Sequence, residues 1–230
     1  MEQSNAKAYP QDTGPSAPPL PLQGGGVTGV IVDSRFCASY PVEMAFDRGM
    51  MQLTAGNIVI TDVKGNMLFK VQDRVFGLHD KRILLDGSGS PVLTLQEKMM
   101  TMHCRWKVFR GGSTEPGDLL YTVKRTSVVQ MKMKLDVFLS HNKEKKTCDF
   151  QVRGNWFEGS STVYVGESDV IVAQMDKKDV VSGKINFSVS VYPNVDIAFI
   201  ASLIVVILYP NANHTALTLL PLVAMGAIAL

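Results

Sequence analysis

The sequence predicts a mainly β domain of about twelve strands closed as a barrel around one apolar helix near its C-terminal end. Three observations carry this. Short runs rich in Val, Ile, Leu, Phe and Thr recur between Gly, Asp, Asn and Pro clusters from about residue 27 to residue 192. A single segment, Val195–Tyr209, has neither turn residues nor alternation, and after Asp196 only Ser202 interrupts its apolar side chains. Hydrophobic residues make up 46% of the 230-residue chain and charged residues 19%, enough to build a sizeable core.

Three parts follow along the chain. Residues 1–26 hold five of the eleven prolines, end in three glycines and lack apolar periodicity; they read as a disordered leader. Residues 27–209 carry the strand-and-helix pattern and form the barrel domain. Residues 210–230 open on the breaker Pro-Asn-Ala-Asn-His and continue as an apolar tail, TALTLLPLVAMGAIAL, whose 16 residues are slightly short for a membrane span.

The expected strands are Val42–Phe46, Ile58–Asp62, Met67–Gln72, Arg82–Asp86, Val92–Gln96, Arg105–Arg110, Leu119–Lys124, Val128–Leu139, Thr147–Arg153, Thr162–Val165, Val170–Met175 and Phe187–Tyr192. Two turns are specified by their chemistry. Asp62-Val63-Lys64-Gly65-Asn66 and Asp86-Gly87-Ser88-Gly89-Ser90 both join apolar runs and supply Gly or Asn where positive φ is needed. Their similarity suggests one theme used twice. From Val129 to Val137 the alternation is unbroken, with Val129, Met131, Met133, Leu135 and Val137 on one face and Lys132, Lys134 and Asp136 on the other.

The segment from residue 195 is too short for a bilayer: thirteen helical residues span roughly 20 Å against a hydrocarbon core of roughly 30 Å. A helix apolar all round must be enclosed, and in a chain of strands a closed sheet encloses it most simply. Pro193, Asn194 and Asp196 mark the helix start.

The formal net charge of +2 is unevenly spread. Between Lys98 and Lys146 stand 11 Lys/Arg against 4 Asp/Glu, or +7; the rest of the chain carries 12 against 17, or −5. Such a sector attracts anionic lipid or nucleic acid. Its densest elements are Lys143, Lys145 and Lys146 in one loop, with Lys132 and Lys134 on one strand face; these five are the candidate lipid-binding residues. Nucleic acid is the weaker partner, because a recognition helix, a zinc site and aromatics among the cations are missing from the pattern.

Catalytic constellations such as GxSxG, GxxxxGK and HExxH do not occur, and the expected function is non-enzymatic, without cofactor or metal. His103 and Cys104 are strand neighbours that face opposite ways, unsuited to one metal. The three cysteines are dispersed, the start carries no signal sequence, and Glu2 stands where N-myristoylation needs a glycine. These features point to an intracellular, cytoplasmic protein, peripheral at a membrane or tail-anchored through residues 215–230.

Several motifs resemble the plant LURP-one-related family, of the Tubby C-terminal and phospholipid scramblase superfamily. They are Phe36-Cys37-Ala38-Ser39-Tyr40-Pro41-Val42-Glu43, Asp62-Val63-Lys64-Gly65-Asn66, Lys81-Arg82-Ile83-Leu84-Leu85-Asp86, Thr162-Val163-Tyr164-Val165-Gly166 and Val191-Tyr192-Pro193-Asn194-Val195-Asp196. The resemblance spans about Val27 to Leu208 and implies a twelve-stranded barrel around a C-terminal helix. It also implies a phosphoinositide-binding or membrane-tethered regulatory module associated in plants with defence; a protein-interaction scaffold without lipid binding, or a tethered nucleic-acid-binding regulator, is the alternative. The chain departs from calcium-dependent scramblases, since only Asp196 stands close before the helix, with Asp176 and Asp179 well upstream. Calcium needs six to eight oxygens.

Overall fold

A computed structural model describes residues 30–49, 58–75, 80–98, 105–129, 132–155, 159–177 and 184–208. The leader, the apolar tail and His103-Cys104 lie outside the described residues.

Twelve antiparallel strands close on themselves. They are β1 (Val42–Gly49), β2 (Val59–Asp62), β3 (Met67–Val75), β4 (Asp80–Asp86), β5 (Pro91–Lys98), β6 (Arg105–Arg110), β7 (Leu119–Val129), β8 (Lys132–Leu139), β9 (Phe150–Asn155), β10 (Ser160–Val165), β11 (Ile171–Lys177) and β12 (Lys184–Val191). Each strand pairs with its sequence neighbours, and β1 pairs with β12 from Val42↔Val191 to Gly49↔Lys184. Closure removes the unpaired edges that an open sheet would expose. The helix α1 (Ile197–Leu208) follows β12 and runs through the lumen; every residue from Ala198 to Leu208 is buried.

Because β12 hands the chain directly to α1, the helix enters at the end of the barrel that carries the β2–β3, β4–β5, β6–β7, β8–β9 and β10–β11 turns. Asp196 organises this entry. Its Oδ1 accepts from the backbone N–H groups of Ala198 (3.0 Å) and Phe199 (3.1 Å), an N-cap. Its Oδ2 accepts from Ile31 (3.2 Å), Val32 (2.7 Å) and Asp33 (3.2 Å), which ties residues 31–33 across the barrel mouth. Arg110 donates to the Val32 carbonyl and Asn194 N–H to the Ala38 carbonyl, completing this strap. Burial pushes the Asp196 carboxyl above its ordinary range, against the pull of the five N–H groups.

Ser202, the one polar residue of α1, is answered by the barrel. The Tyr121 hydroxyl, fully buried, is hydrogen-bonded to Ser202 Oγ, which also donates to the Phe199 carbonyl. The Tyr121 and Phe150 rings pack on Phe199 at 5.2 and 4.9 Å between centroids. This contact fixes both the rotation and the depth of the helix.

Four hairpins share a device. In each, the second strand carries one extra residue: Leu68 in β3, Val92 in β5, Leu120 in β7 and Val172 in β11 are skipped by the register. All four lie near the helix-entry end. Val92 and Val172 are buried, and Leu68 and Leu120 pack against the core. A bulge turns two consecutive side chains inward, so the doublets Leu68-Phe69, Val92-Leu93, Leu120-Tyr121 and Val172-Ala173 fill the mouth around α1. The similarity of the two predicted turns holds in detail. Asp62 Oδ1 accepts from Lys64 and Asn66 N–H, Asp86 Oδ1 from Ser88 and Ser90 N–H, and Gly65 and Gly89 stand at φ +83° and +84°.

The expectation of one strand over Val128–Leu139 is corrected. Val129 ends β7 and pairs with Lys132 at the start of β8, so it belongs to the neighbouring strand. Residues 147–149 are loop rather than the start of β9, and α1 begins at Ile197 rather than Val195 because Asp196 caps it.

Candidate functional site

Strand pairing decides which cations share a surface. Paired residues of an antiparallel sheet face the same way. Met133, Leu135 and Val137 of β8 point into the core, so Lys132, Lys134 and Asp136 point out. Lys124 pairs with both Arg105 and Asp136, and Lys107 pairs with Thr122 beside it. Arg105, Lys107 and Lys132 are exposed and Lys124 and Lys134 half-buried. Lys81 on β4 continues this outer surface through Lys81↔Gln96 and Gln96↔Lys107, and Lys70, opposite Leu85, faces outward one strand further round on β3. The outer wall of β3–β8 thus carries Lys70, Lys81, Arg105, Lys107, Lys124, Lys132 and Lys134, with Asp136 as its acid among the described residues.

The rest of the outer surface differs. On β10, β11, β12 and β1 it presents Ser160, Thr162, Gln174, Asp176, Ser188, Ser190, Glu43 and Ala45. Among the described residues the cations concentrate on the β4–β9 side, where Arg153 of β9 stands opposite Lys134, and the β10–β1 side is neutral to acidic.

The five predicted lysines fall into two groups. Lys132 and Lys134 stand on the wall near the far end, opposite the helix entry. Lys143, Lys145 and Lys146 lie in the β8–β9 loop at the helix-entry end, roughly 17 Å of extended chain from Lys134. That loop is internally braced: Asn142 Nδ2 donates to the Thr147 carbonyl and to Asp149 Oδ2 at 2.9 Å, and its Oδ1 accepts from Lys145 N–H at 3.0 Å. Lys145 Nζ folds onto the wall and donates to Thr122 Oγ1 at 3.3 Å, and Lys146 Nζ pairs with Glu144 at 2.8 Å. Of the three, Lys143 is the cation most open to a partner. Arg105, Lys107 and Lys124, absent from the predicted set, join Lys132 and Lys134. The alternation of Arg105-Trp106-Lys107 was the available signal; the cross-strand register that joins them was not.

A second charged group lies inside. Near the far end of the lumen, Asp73, Arg82, Glu97 and Arg125 share inward parity with Val71, Leu84, Leu95 and Val123. Arg82 Nε is 3.4 Å from Asp73 Oδ1 and its guanidinium lies 5.0 Å from the Trp106 ring centroid; Glu97, register partner of Trp106, is 4% exposed. These four comprise two acids and two bases. The group stands at the end of the barrel toward which α1 points its carbonyl groups. The inner layer completes the core and the outer wall is the surface open to a partner.

The family model LURP-one-related matches residues 42–208. The chain belongs to the LURP-one-related family. It is 64% identical over 211 residues to Protein LURP-one-related 15 of Arabidopsis thaliana, covering 90% of this chain and 95% of that protein. It is 56% identical to Protein LURP-one-related 1 of the same plant, covering 95% and 97%. The crystal structure of an Arabidopsis thaliana protein 61% identical in sequence superposes with a TM-score of 0.63, covering 77% of this chain and 96% of that one. The matched span of the LURP-one-related domain starts with β1 and ends with α1. Among the described residues no helix is long and apolar enough to cross a membrane.

Proposed function

We propose that this LURP-one-related domain is a non-enzymatic module that docks on anionic phospholipid headgroups through the outer wall of β3–β8, and that the docking tethers a regulatory protein at a membrane surface. The observation that carries the reading is the clustering of Arg105, Lys107, Lys124, Lys132 and Lys134 on the adjacent strands β6–β8 at the centre of this surface, with Asp136 as their acid among the described residues, while the wall of β10–β1 carries Glu43 and Asp176. A barrel polarised in this way lies on its side on an anionic surface, its axis parallel to the plane. Each Lys or Arg near such a surface contributes roughly 1 kcal/mol. The bonds of Lys145 and Lys146 to Thr122 and Glu144 give the loop lysines a smaller share. The regulatory role in plant defence rests on the resemblance alone.

The test is co-sedimentation of the full chain with vesicles of neutral lipid, with and without a phosphoinositide. Sedimentation with the anionic vesicles is expected, weakened on the order of 100-fold in Lys107/Lys124/Lys134→Ala and much less in Lys143/Lys145/Lys146→Ala. No sedimentation of the full chain, or equal sedimentation of the wall variant, overturns the reading.

A further inference from the structure

One more register shift stands apart from the four apolar bulges. Between Arg125↔Leu135 and Ser127↔Lys134, β7 carries the extra residue Thr126. This bulge is in the far half of the strand, and its side chain is exposed. Among the described residues the Thr126 hydroxyl reaches the Lys134 carbonyl, at 3.4 Å, the long limit for such a bond. On the β8 side the register skips Thr126 altogether, from Arg125↔Leu135 to Ser127↔Lys134. It is therefore an exposed, weakly held hydroxyl on a stretch of backbone outside the regular ladder.

Its surroundings are cationic. Lys124 lies two residues ahead on the outer face, Lys134 lies across the strand pair, and Arg105 pairs with Lys124; Arg125, the residue just before Thr126, faces the lumen. A surface cation two residues ahead of a hydroxyl, here Lys124, with further cations beside it, is what a protein kinase with an acidic substrate cleft selects by charge pattern. The same cations would then hold the product: a phosphate brings nearly two negative charges and three acceptor oxygens.

We propose that Thr126 is a phosphorylation site that switches the cationic wall off, a reading that rests on the anionic-surface function above for its consequence. In the transfer, Thr126 Oγ forms a bond to the γ-phosphorus of ATP as the bond from that phosphorus to the β–γ bridging oxygen breaks. ADP leaves, and the hydroxyl proton passes to the kinase's base. No electrons change hands. The phosphothreonine then cancels charge from Lys124 and Lys134, and the wall loses its hold on an anionic surface.

The experiment treats the full chain with ATP and the catalytic domain of a basophilic serine/threonine kinase, maps the phosphate by peptide mass spectrometry, and compares vesicle binding before and after. Phosphate on Thr126 is expected, with Thr126→Ala refractory. Since one charge near an anionic surface is worth roughly five-fold in binding, the modified chain should bind about 25-fold more weakly. Thr126→Glu, checked for an unchanged unfolding temperature, should fall between the two. Phosphate on Ser127 or elsewhere, or none, overturns the site. Phosphate on Thr126 with unchanged vesicle binding overturns the switch. If the untreated chain ignores anionic vesicles, the tethering reading fails and the switch with it, while the mass map still decides the modification.

Discussion

At the helix-entry end, Leu68, Val92, Leu120 and Val172 each occupy a bulge and turn into the core. In the far half, Thr126 occupies a bulge of the same kind and turns a hydroxyl outward among lysines. One backbone device serves two purposes. The extra residue widens the sheet's inward coverage where the barrel mouth must be sealed around α1, and it breaks the ladder where the wall is polar and exposed. The side chain that the sequence supplies decides which outcome follows. The same division separates the charges: at the entry, Asp196 is wholly consumed by five N–H groups, whereas the outer cations of β6–β8 have few acids to satisfy them.

If the entry end is structural, breaking its hub should cost most. Asp196→Ala removes an N-cap and leaves the N–H groups of residues 31–33 without their acceptor. The cap alone is worth about 1 kcal/mol and each buried N–H left unsatisfied about 1–3 kcal/mol. A loss on the order of 4 kcal/mol is expected in chemical denaturation. Asp196→Asn should recover little, since its amide would aim donors at donors. A drop below about 1 kcal/mol would show that the strap contributes nothing.

The bulges give the direct contrast. Val92→Ala removes two buried methyl groups from a residue 4% exposed and should destabilise by about 2 kcal/mol. Thr126→Ala removes an exposed hydroxyl and should stay within about 0.5 kcal/mol of wild type while abolishing phosphate incorporation. Equal costs at both positions would erase the distinction between sealing and signalling bulges. The Tyr121–Ser202 bond tests the seat of the helix between the two ends. Tyr121→Phe and Ser202→Ala should each cost about 1 kcal/mol, with the double variant costing less than their sum, because a lone hydroxyl left in the lumen is worse than none.

The sequence carried much of this fold because its signals are local. Twelve runs with turn punctuation and one uninterrupted apolar segment yielded the strands and α1, and the Asp-x-x-Gly pattern yielded both Asx-braced turns. It failed where neighbours in space are distant in chain. In the sequence Asp196 marks only the helix start; its bonds to Ile31–Asp33 span 163–165 residues and leave no local trace. The β7–β8 turn was missed because Val128-Val129-Gln130-Met131 contains no turn residue and the alternation runs straight through it. The lumenal Asp73, Arg82, Glu97 and Arg125 were legible by parity, since Asp73 follows Phe69 and Val71 at period two, but a charge on the inward face runs against the usual rule that strands hide apolar side chains. Lys132 and Lys134 were found by alternation; joining them to Lys124 and Arg105 required the register.

The smallest expected effect separates the aspartates by sign. Asp62 and Asp86 sit in exposed turns, and hydrogen bonds, chiefly from the side chains of Asn66 and Ser88, hold their carboxyls below the usual range. Asp196 is held above it by burial. A depressed carboxyl stabilises the fold above its unfolded pKa of about 4 and loses that contribution as pH falls through the folded value. A raised carboxyl does the reverse: its contribution is full below about 4 and declines as pH rises through the folded value. Acidification should therefore loosen the two turns before it touches the helix entry. In hydrogen exchange, the amides of Lys64, Asn66, Ser88 and Ser90 should lose protection on the acid side of pH 4, while those of Ala198 and Phe199 keep theirs. Asp62→Asn should make the amides of its own turn insensitive to that step and leave the Asp86 turn unchanged. Loss of protection at Ala198 and Phe199 in the same step would mean that Asp196 gains as much from its five donors as the turn aspartates gain from theirs, and that the two ends of the barrel respond to acid alike.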